Sequence, residues 1–263
     1  MSNIIDGVLG VSYFAGSFSD AMQTILSLAS ETGESKYSVF TPNVHHVYLI
    51  QKNEKLRQAY QSGSICLLDG MPLVWALRIF ARKNVQKISG SDMFVCLFKE
   101  AIKRGMKVCL LGGTPGVAEK AASILLKAKE DKGLILTYSP PFGFEKSVLE
   151  DQKVINEINR FSPNILFVAF GAPKQEIWIY EHLSKLSVKM AMGVGGSFDF
   201  VAGVQKRAPI FMQNIGLEWL FRLICDPRRL WKRYLITNTF FIRLLITEAI
   251  KRMIFRKATN IQC

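Results

Sequence analysis

The chain has 263 residues, 49% of them hydrophobic, enough to bury a sizeable core in one main domain with an appendage. Its 34 Lys and Arg against 21 Asp and Glu give a formal charge of +13, which calls for an anionic partner: nucleic acid, a membrane surface or a phosphorylated substrate. Five cysteines, odd in number and without a Cys-x-x-Cys pair, argue against a disulfide framework or a zinc site and for thiols in a reducing cytoplasm.

Taken in chain order, short apolar runs alternate with helical patterns. Strands are expected over residues 37–40, 65–68, 107–111, 134–138, 164–170 and 188–192. Helices are expected over 44–62, 73–82, 92–104, 117–129, 149–161 and 175–186. This rhythm describes an α/β, Rossmann-like fold: a mostly parallel sheet flanked by helices on both faces. The N-terminus lacks the basic-then-apolar pattern of a signal peptide. No uncharged apolar stretch reaches membrane-spanning length; the longest candidate, residues 235–250, is broken by Asn238, Arg243 and Glu248.

The character changes after Gly203. Residues 204–263 hold twelve Lys and Arg against three Asp and Glu, leaving +9 of the total charge in under a quarter of the length. Phe211, Trp219, Phe221, Trp231, Tyr234, Phe240, Phe241 and Phe255 are interleaved with them. That mixture suits basic amphipathic helices lying in a lipid headgroup region; an ordinary helical pair with a solvated basic face is the plainer alternative. The expected division is a catalytic domain over 1–203 and a membrane-associating helical appendage over 204–263.

The chemistry concentrates where strands are expected to end, the edge at which open α/β sheets bind ligands. Thr41-Pro42-Asn43 offers a hydroxyl and an amide, or simply a helix cap. Asp69-Gly70 places a carboxylate after an apolar run, as a general base or as a cap before Pro72. Gly112-Gly113 forms a glycine-rich turn suited to phosphate at a helix N-terminus or a simple tight turn; it lacks Gly-x-Gly-x-x-Gly, and no Walker-type Gly-Lys-Ser/Thr occurs. Phe170-Gly171-Ala172-Pro173-Lys174-Gln175-Glu176 puts a polar cluster at the end of a buried strand, with Gly171 permitting close backbone approach. Gly193-Val194-Gly195-Gly196-Ser197-Phe198-Asp199 adds flexible backbone and a carboxylate able to accept from ribose hydroxyls, or is simply a loop with a structural aspartate. His45, His46 and His182 lack further ligands at metal spacing, so no metal site and no cofactor are expected.

Together these pieces resemble the WecG/TagA/CpsF family of bacterial glycosyltransferases. The ordered set is Thr41-Pro42-Asn43, Asp69-Gly70, Gly90-Ser91-Asp92, Leu111-Gly112-Gly113, residues 171–176, residues 193–199, Arg207-Ala208-Pro209 and Gly216-Leu217-Glu218-Trp219, followed by Arg222 and Pro227-Arg228-Arg229. The resemblance implies an inverting, metal-independent hexosyltransferase that moves a sugar from a UDP-sugar to a polyprenyl-diphosphate-linked sugar in surface polysaccharide or teichoic acid synthesis. N-acetylmannosamine, its uronic acid, glucose and galactose are all transferred within the family. By the family's pattern Asp69 is the catalytic base, and Thr41, Asn43 and Gln175 line the substrate pocket. Gly195, Gly196 and Asp199 associate with the nucleotide, with Gly171 and the Gly112-Gly113 turn beside them. Arg222 and Arg229 of the appendage lie near the diphosphates. Where the family often carries arginine before Gly-Ser-Asp, this chain has Lys87, which keeps the charge but loses the two-pronged fork for phosphate.

The implied location is the bacterial cytoplasm, peripheral on the inner face of the membrane, with no nucleic acid partner and with monomer and homo-oligomer both open. The rival readings are a nucleotide-cofactor enzyme using the Gly112-Gly113 turn, a nucleic-acid binder using the basic C-terminus, and a non-catalytic membrane scaffold.

Overall fold

The computed structural model describes residues 4–8, 10–126 and 133–260. An antiparallel hairpin, β1 (Ile4–Val8) and β2 (Val11–Phe14), and helix α1 (Phe18–Ser30) open the chain. The main sheet follows from β3 (Tyr37–Phe40), β4 (Ile65–Cys66), β5 (Val108–Gly112), β6 (Ile135–Tyr138), β7 (Ile165–Ala169) and β8 (Met190–Gly193). All six are parallel, in the order β4-β3-β8-β7-β5-β6. The connecting helices are α2 (Val44–Ile50), α3 (Glu54–Ser62), α4 (Met71–Phe80), α5 (Gly90–Lys103), α6 (Val117–Leu125), α7 (Val148–Phe161) and α8 (Lys174–His182). Short α9 (Ser197–Val201) follows β8, and the appendage is α10 (Ile210–Asn214), α11 (Glu218–Cys225) and α12 (Pro227–Asn260).

The central strands read as unbroken apolar runs because both faces are covered. Successive strand side chains point to opposite faces, so the runs feed two cores. Cys109, Leu111, Leu166, Val168 and Ala191 join a cluster with α2, α3, α4, α7 and α8. Val108, Leu110, Ile165, Phe167, Met190 and Met192 join another with α1, α5, α6 and α9. The last two strands in sequence, β7 and β8, fill the gap between β3 and β5. The loops after β3, β4, β7 and β8 therefore meet at one edge.

The α/β sheet is the one expected, with differences of detail. The helix anticipated over 44–62 is two helices, because the Asn53 side chain accepts from the Leu56 N–H at 3.0 Å and starts α3 anew. The hairpin and α1 were not anticipated; Ser17 and Asp20 form a capping box that starts α1. Helix α6 ends at Leu125, and the remainder of the helix expected there, residues 127–129, lies outside the described residues. Helix α12 packs along α2, with Tyr48 and Phe240 rings 5.2 Å apart and Phe241 buried. Among the described residues no helix is long and apolar enough to cross a membrane.

Candidate active site

A cavity of about 840 Å³ opens between the carboxyl ends of the strands and the appendage. Thr41, Asn43, Asp69, Lys87, Gly171, Gln175, Gly195, Gly196 and Arg222 all contribute to its wall, so residues far apart in sequence converge as expected. A hollow of similar size, about 890 Å³, lies at the opposite edge around Lys36, Asn164 and Lys189 and holds none of the strand-end motifs.

The β3 loop is built first. Asn43 caps α2: its Oδ1 accepts from the His45 N–H at 3.0 Å, and its own N–H donates to His46 Nδ1 at 3.2 Å. The amide NH2 of Asn43 is thus the group left for a ligand. Thr41 packs under Gly90, where a Cβ would come within 2.9 Å of the threonine side chain.

A polar chain then runs from this loop to the β8 loop. His46 Nδ1 faces both the Asn43 N–H, at 3.2 Å, and Asn43 Oδ1, at 2.9 Å, and its Nε2 lies 3.4 Å from Glu176 Oε1. The same oxygen accepts from Gln175 Nε2 at 2.8 Å, and Gln175 Oε1 accepts from the Gly195 N–H at 3.0 Å. Glu176 and Gln175 are 1% and 3% exposed, so these bonds are made away from water, where an unmade one is costly. At Gly193 a Cβ would sit 2.8 Å from Gln175 Nε2, so a larger residue there would displace the Gln175 amide. Gln175 is thereby a strut that holds the Gly195–Gly196 backbone as well as a wall of the pocket.

Asp69 follows β4, its backbone N–H donating to the Pro42 carbonyl at 3.2 Å. Burial pushes its carboxyl up to about 6, and Glu218 pushes the same way, against Lys87, Arg222 and His46. Glu218 comes from the appendage. It lies 3.7 Å from Lys87 Nζ and accepts from Arg222 at 2.5 Å. Arg222 also stacks over Phe200, its guanidinium 5.1 Å from the ring centre. The arrangement is a half-buried carboxylate of raised basicity beside a cationic wall, suited to deprotonating a hydroxyl next to a phosphorylated group.

Some predicted residues stand elsewhere. Arg229 pairs with Asp226 at 2.6 Å and does not line the cavity. Arg233 takes that place, one helical turn on, with its Nε buried and without a hydrogen-bond partner among the described residues. Asp199 lies behind the wall, its carboxyl raised by burial and lowered by Arg229. The Gly112–Gly113 turn is also outside the wall. At Gly112, with φ of +102°, a Cβ would meet the Ala169 carbonyl oxygen at 2.8 Å, so close approach of β7 explains this glycine. Glu218 and Arg233 were not expected in the site; Glu176 was expected only as a hydrogen-bonding side chain and His46 only as an unlikely metal ligand, because the partners of all four are distant in sequence.

The model of the WecG/TagA/CpsF glycosyl transferase family matches residues 7–254. The chain belongs to this family. It is a glycosyltransferase. The family match covers every strand-end cluster and extends into α12, so the appendage is part of the shared architecture. Among curated relatives are two enzymes of Staphylococcus aureus, from strains MRSA252 and NCTC 8325, each named N-acetylglucosaminyldiphosphoundecaprenol N-acetyl-beta-D-mannosaminyltransferase. Each is 28% identical over 226 residues, covering 86% of this chain and 85% of the relative.

Proposed function

We propose that the chain transfers a hexose or N-acetylhexosamine from a UDP-sugar to a polyprenyl-diphosphate-linked sugar, with inversion and without a metal. The observation that carries this reading is Asp69, a carboxylate raised to about 6 in a cavity shared with Lys87, Arg222 and Arg233. Asp69 takes the proton from the acceptor hydroxyl. The oxygen's electron pair attacks the anomeric carbon from the face opposite the leaving group, and UDP departs with the pair of the broken bond. The three cations offset the charge that grows on the leaving diphosphate, the electrostatic task a metal performs in other enzymes. The Gly195–Gly196 backbone, held by Gln175, receives the nucleotide. The relatives' names make an N-acetylmannosamine donor and an N-acetylglucosaminyl-diphosphate lipid acceptor the first pair to try. In the cell the enzyme works on the cytoplasmic face of the membrane, held there by the appendage.

The test is UDP release from a panel of UDP-sugars in EDTA, with and without a polyprenyl-diphosphate-GlcNAc analogue. Acceptor-dependent release from one donor supports the reading. Asp69→Asn is expected to keep UDP binding and to lower turnover by about 10²–10⁴-fold. Wild-type turnover by that variant overturns the assignment of the base.

A further inference from the structure

Helix α2 opens with two histidines whose surroundings differ, because successive helical residues stand about 100° apart around the axis. His46 is engaged by Asn43 and Glu176. His45 lines the cavity instead, and its Nδ1 is buried with no hydrogen-bond partner among the described residues. Its backbone N–H is held by the Asn43 cap at 3.0 Å, and its ring meets that of His46 edge to face, the centres 6.3 Å apart. A buried polar atom without a partner costs stability, so one on a cavity wall points to a ligand group that completes it.

The charge around the ring narrows the kind of group. Burial pushes His45 down to about 3, and Arg233 of α12 and His46 of its own helix, the charged and titratable groups that act on it, push the same way. The ring is therefore neutral near pH 7, with one nitrogen a donor and the other an acceptor. A neutral ring offers a phosphate no charge; that task falls to Lys87, Arg222 and Arg233 in the same cavity. It suits an uncharged group that hydrogen-bonds, a hydroxyl or an amide. On the transfer reading above, on which this step rests, the donor's diphosphate lies at Arg233. The first hydroxyl or amide beyond that diphosphate is the one on C2 of the donor sugar, next to the anomeric carbon. We infer that His45 grips the hydroxyl or acetamido group on C2 of the donor sugar and is a specificity-determining residue. A hydrogen bond so close to the breaking bond also orients the anomeric carbon for attack.

The test crosses variants of the full chain with deletion of the donor's C2 group. UDP-2-deoxyglucose is the common 2-deoxy form of UDP-N-acetylmannosamine, UDP-N-acetylglucosamine and UDP-glucose; UDP-2-deoxygalactose serves for UDP-galactose. Deleting the group is expected to lower wild-type kcat/KM by about 10–100-fold, because the imidazole nitrogen is left unpaired. His45→Ala should lose a similar factor on the parent donor and little more on the 2-deoxy donor, with UDP binding unchanged. His45→Asn, which keeps a hydrogen-bonding atom close to where Nδ1 stands, should regain part of the discrimination. The ratio of wild-type to His45→Ala rates should stay constant from about pH 5 to 8, since the Asp69 titration is common to both. Losses that multiply overturn the proposal. So does an equal loss of affinity for UDP itself, which makes His45 a nucleotide contact. A ratio that grows as pH falls overturns it too, since the ring then holds phosphate as a cation. Turnover with multiplying losses removes the contact and leaves the transfer. The reverse is no turnover from any donor, with calorimetric binding of the UDP-sugar weakened by the 2-deoxy change in wild type but not in His45→Ala; that keeps the contact and removes the transfer.

Discussion

Asp69 is held by its surroundings in a state that costs stability. Its folded pKa of about 6 lies above the 3.8 of an unperturbed aspartate, so between those values the folded chain binds the proton that the unfolded chain has released. Stability therefore falls as pH rises through this window, and the full cost is present above about pH 6. Asp69→Asn should be more stable than wild type at pH 7, by about 1–2 kcal/mol or a few degrees in Tm, and no more stable below pH 4. Thermal melts of both proteins across that range check it; equal curves at pH 7 mean the carboxylate is not strained. The same proton sets the acid limb of kcat/KM, which should fall as pH drops through about 6. That an aspartate after a strand would matter was legible from Asp69-Gly70 and its apolar lead-in. Its altered basicity was not, because Glu218 and Arg222 reach it only through the appendage.

At the scale of elements, local signals placed most of the sheet and helices. The strand at 37–40 needed no adjustment, because Tyr37, Val39 and Phe40 favour a strand and stand between Lys36 and Pro42. The break between α2 and α3 depends on one asparagine side chain turning to cap, which an otherwise continuous helical pattern concealed. The attachment of the appendage is a tertiary matter. Arg207 gives two bonds to Asp92, at 2.5 and 2.7 Å, and one each to Ser89 Oγ at 3.1 Å and Gln213 at 3.0 Å, joining the linker before α10 to the start of α5. Asp92 is lowered by this pairing, with Arg207 the main cause. Arg207→Ala should cost about 1–2 kcal/mol, a figure discounted because Asp92 is half-exposed, and should speed proteolysis within α10 to α12. Arg207→Lys should recover only part, since an ammonium cannot span both carboxylate oxygens. Proteolysis at the wild-type rate would mean that the α12–α2 contact alone holds the appendage.

For the whole molecule, the appendage carries two surfaces. One face of α12, including Leu230, Thr237 and Phe241, is buried on the core. On another, Trp231, Leu235, Ile242, Ile246 and Ile250 recur at intervals of four and seven and stay exposed, as do Ile210, Phe211 and Ile224 on α10 and α11. Arg228, Lys232 and Arg243 are exposed along the same helix. This combination supports shallow seating on an anionic bilayer. Binding to phosphatidylserine vesicles should weaken steeply with salt, and replacing Arg228, Lys232 and Arg243 by Gln should reduce affinity about 100-fold, at roughly a kcal/mol per charge near the surface. Co-sedimentation measures it; salt-insensitive binding would leave the apolar residues alone responsible.

The sequence by itself determined the α/β alternation, the motifs that end at one edge and the family, because apolar periodicity and ordered short motifs are local properties. The tertiary structure decided which of those residues share a cavity. It set Gly112, Gly113, Asp199 and Arg229 outside the wall, and brought His46, Glu176, Glu218 and Arg233 into play. The reason is physical: desolvation, ion pairing and close backbone approach act between residues that meet only when β7 and β8 insert beside β3 and the appendage folds across them.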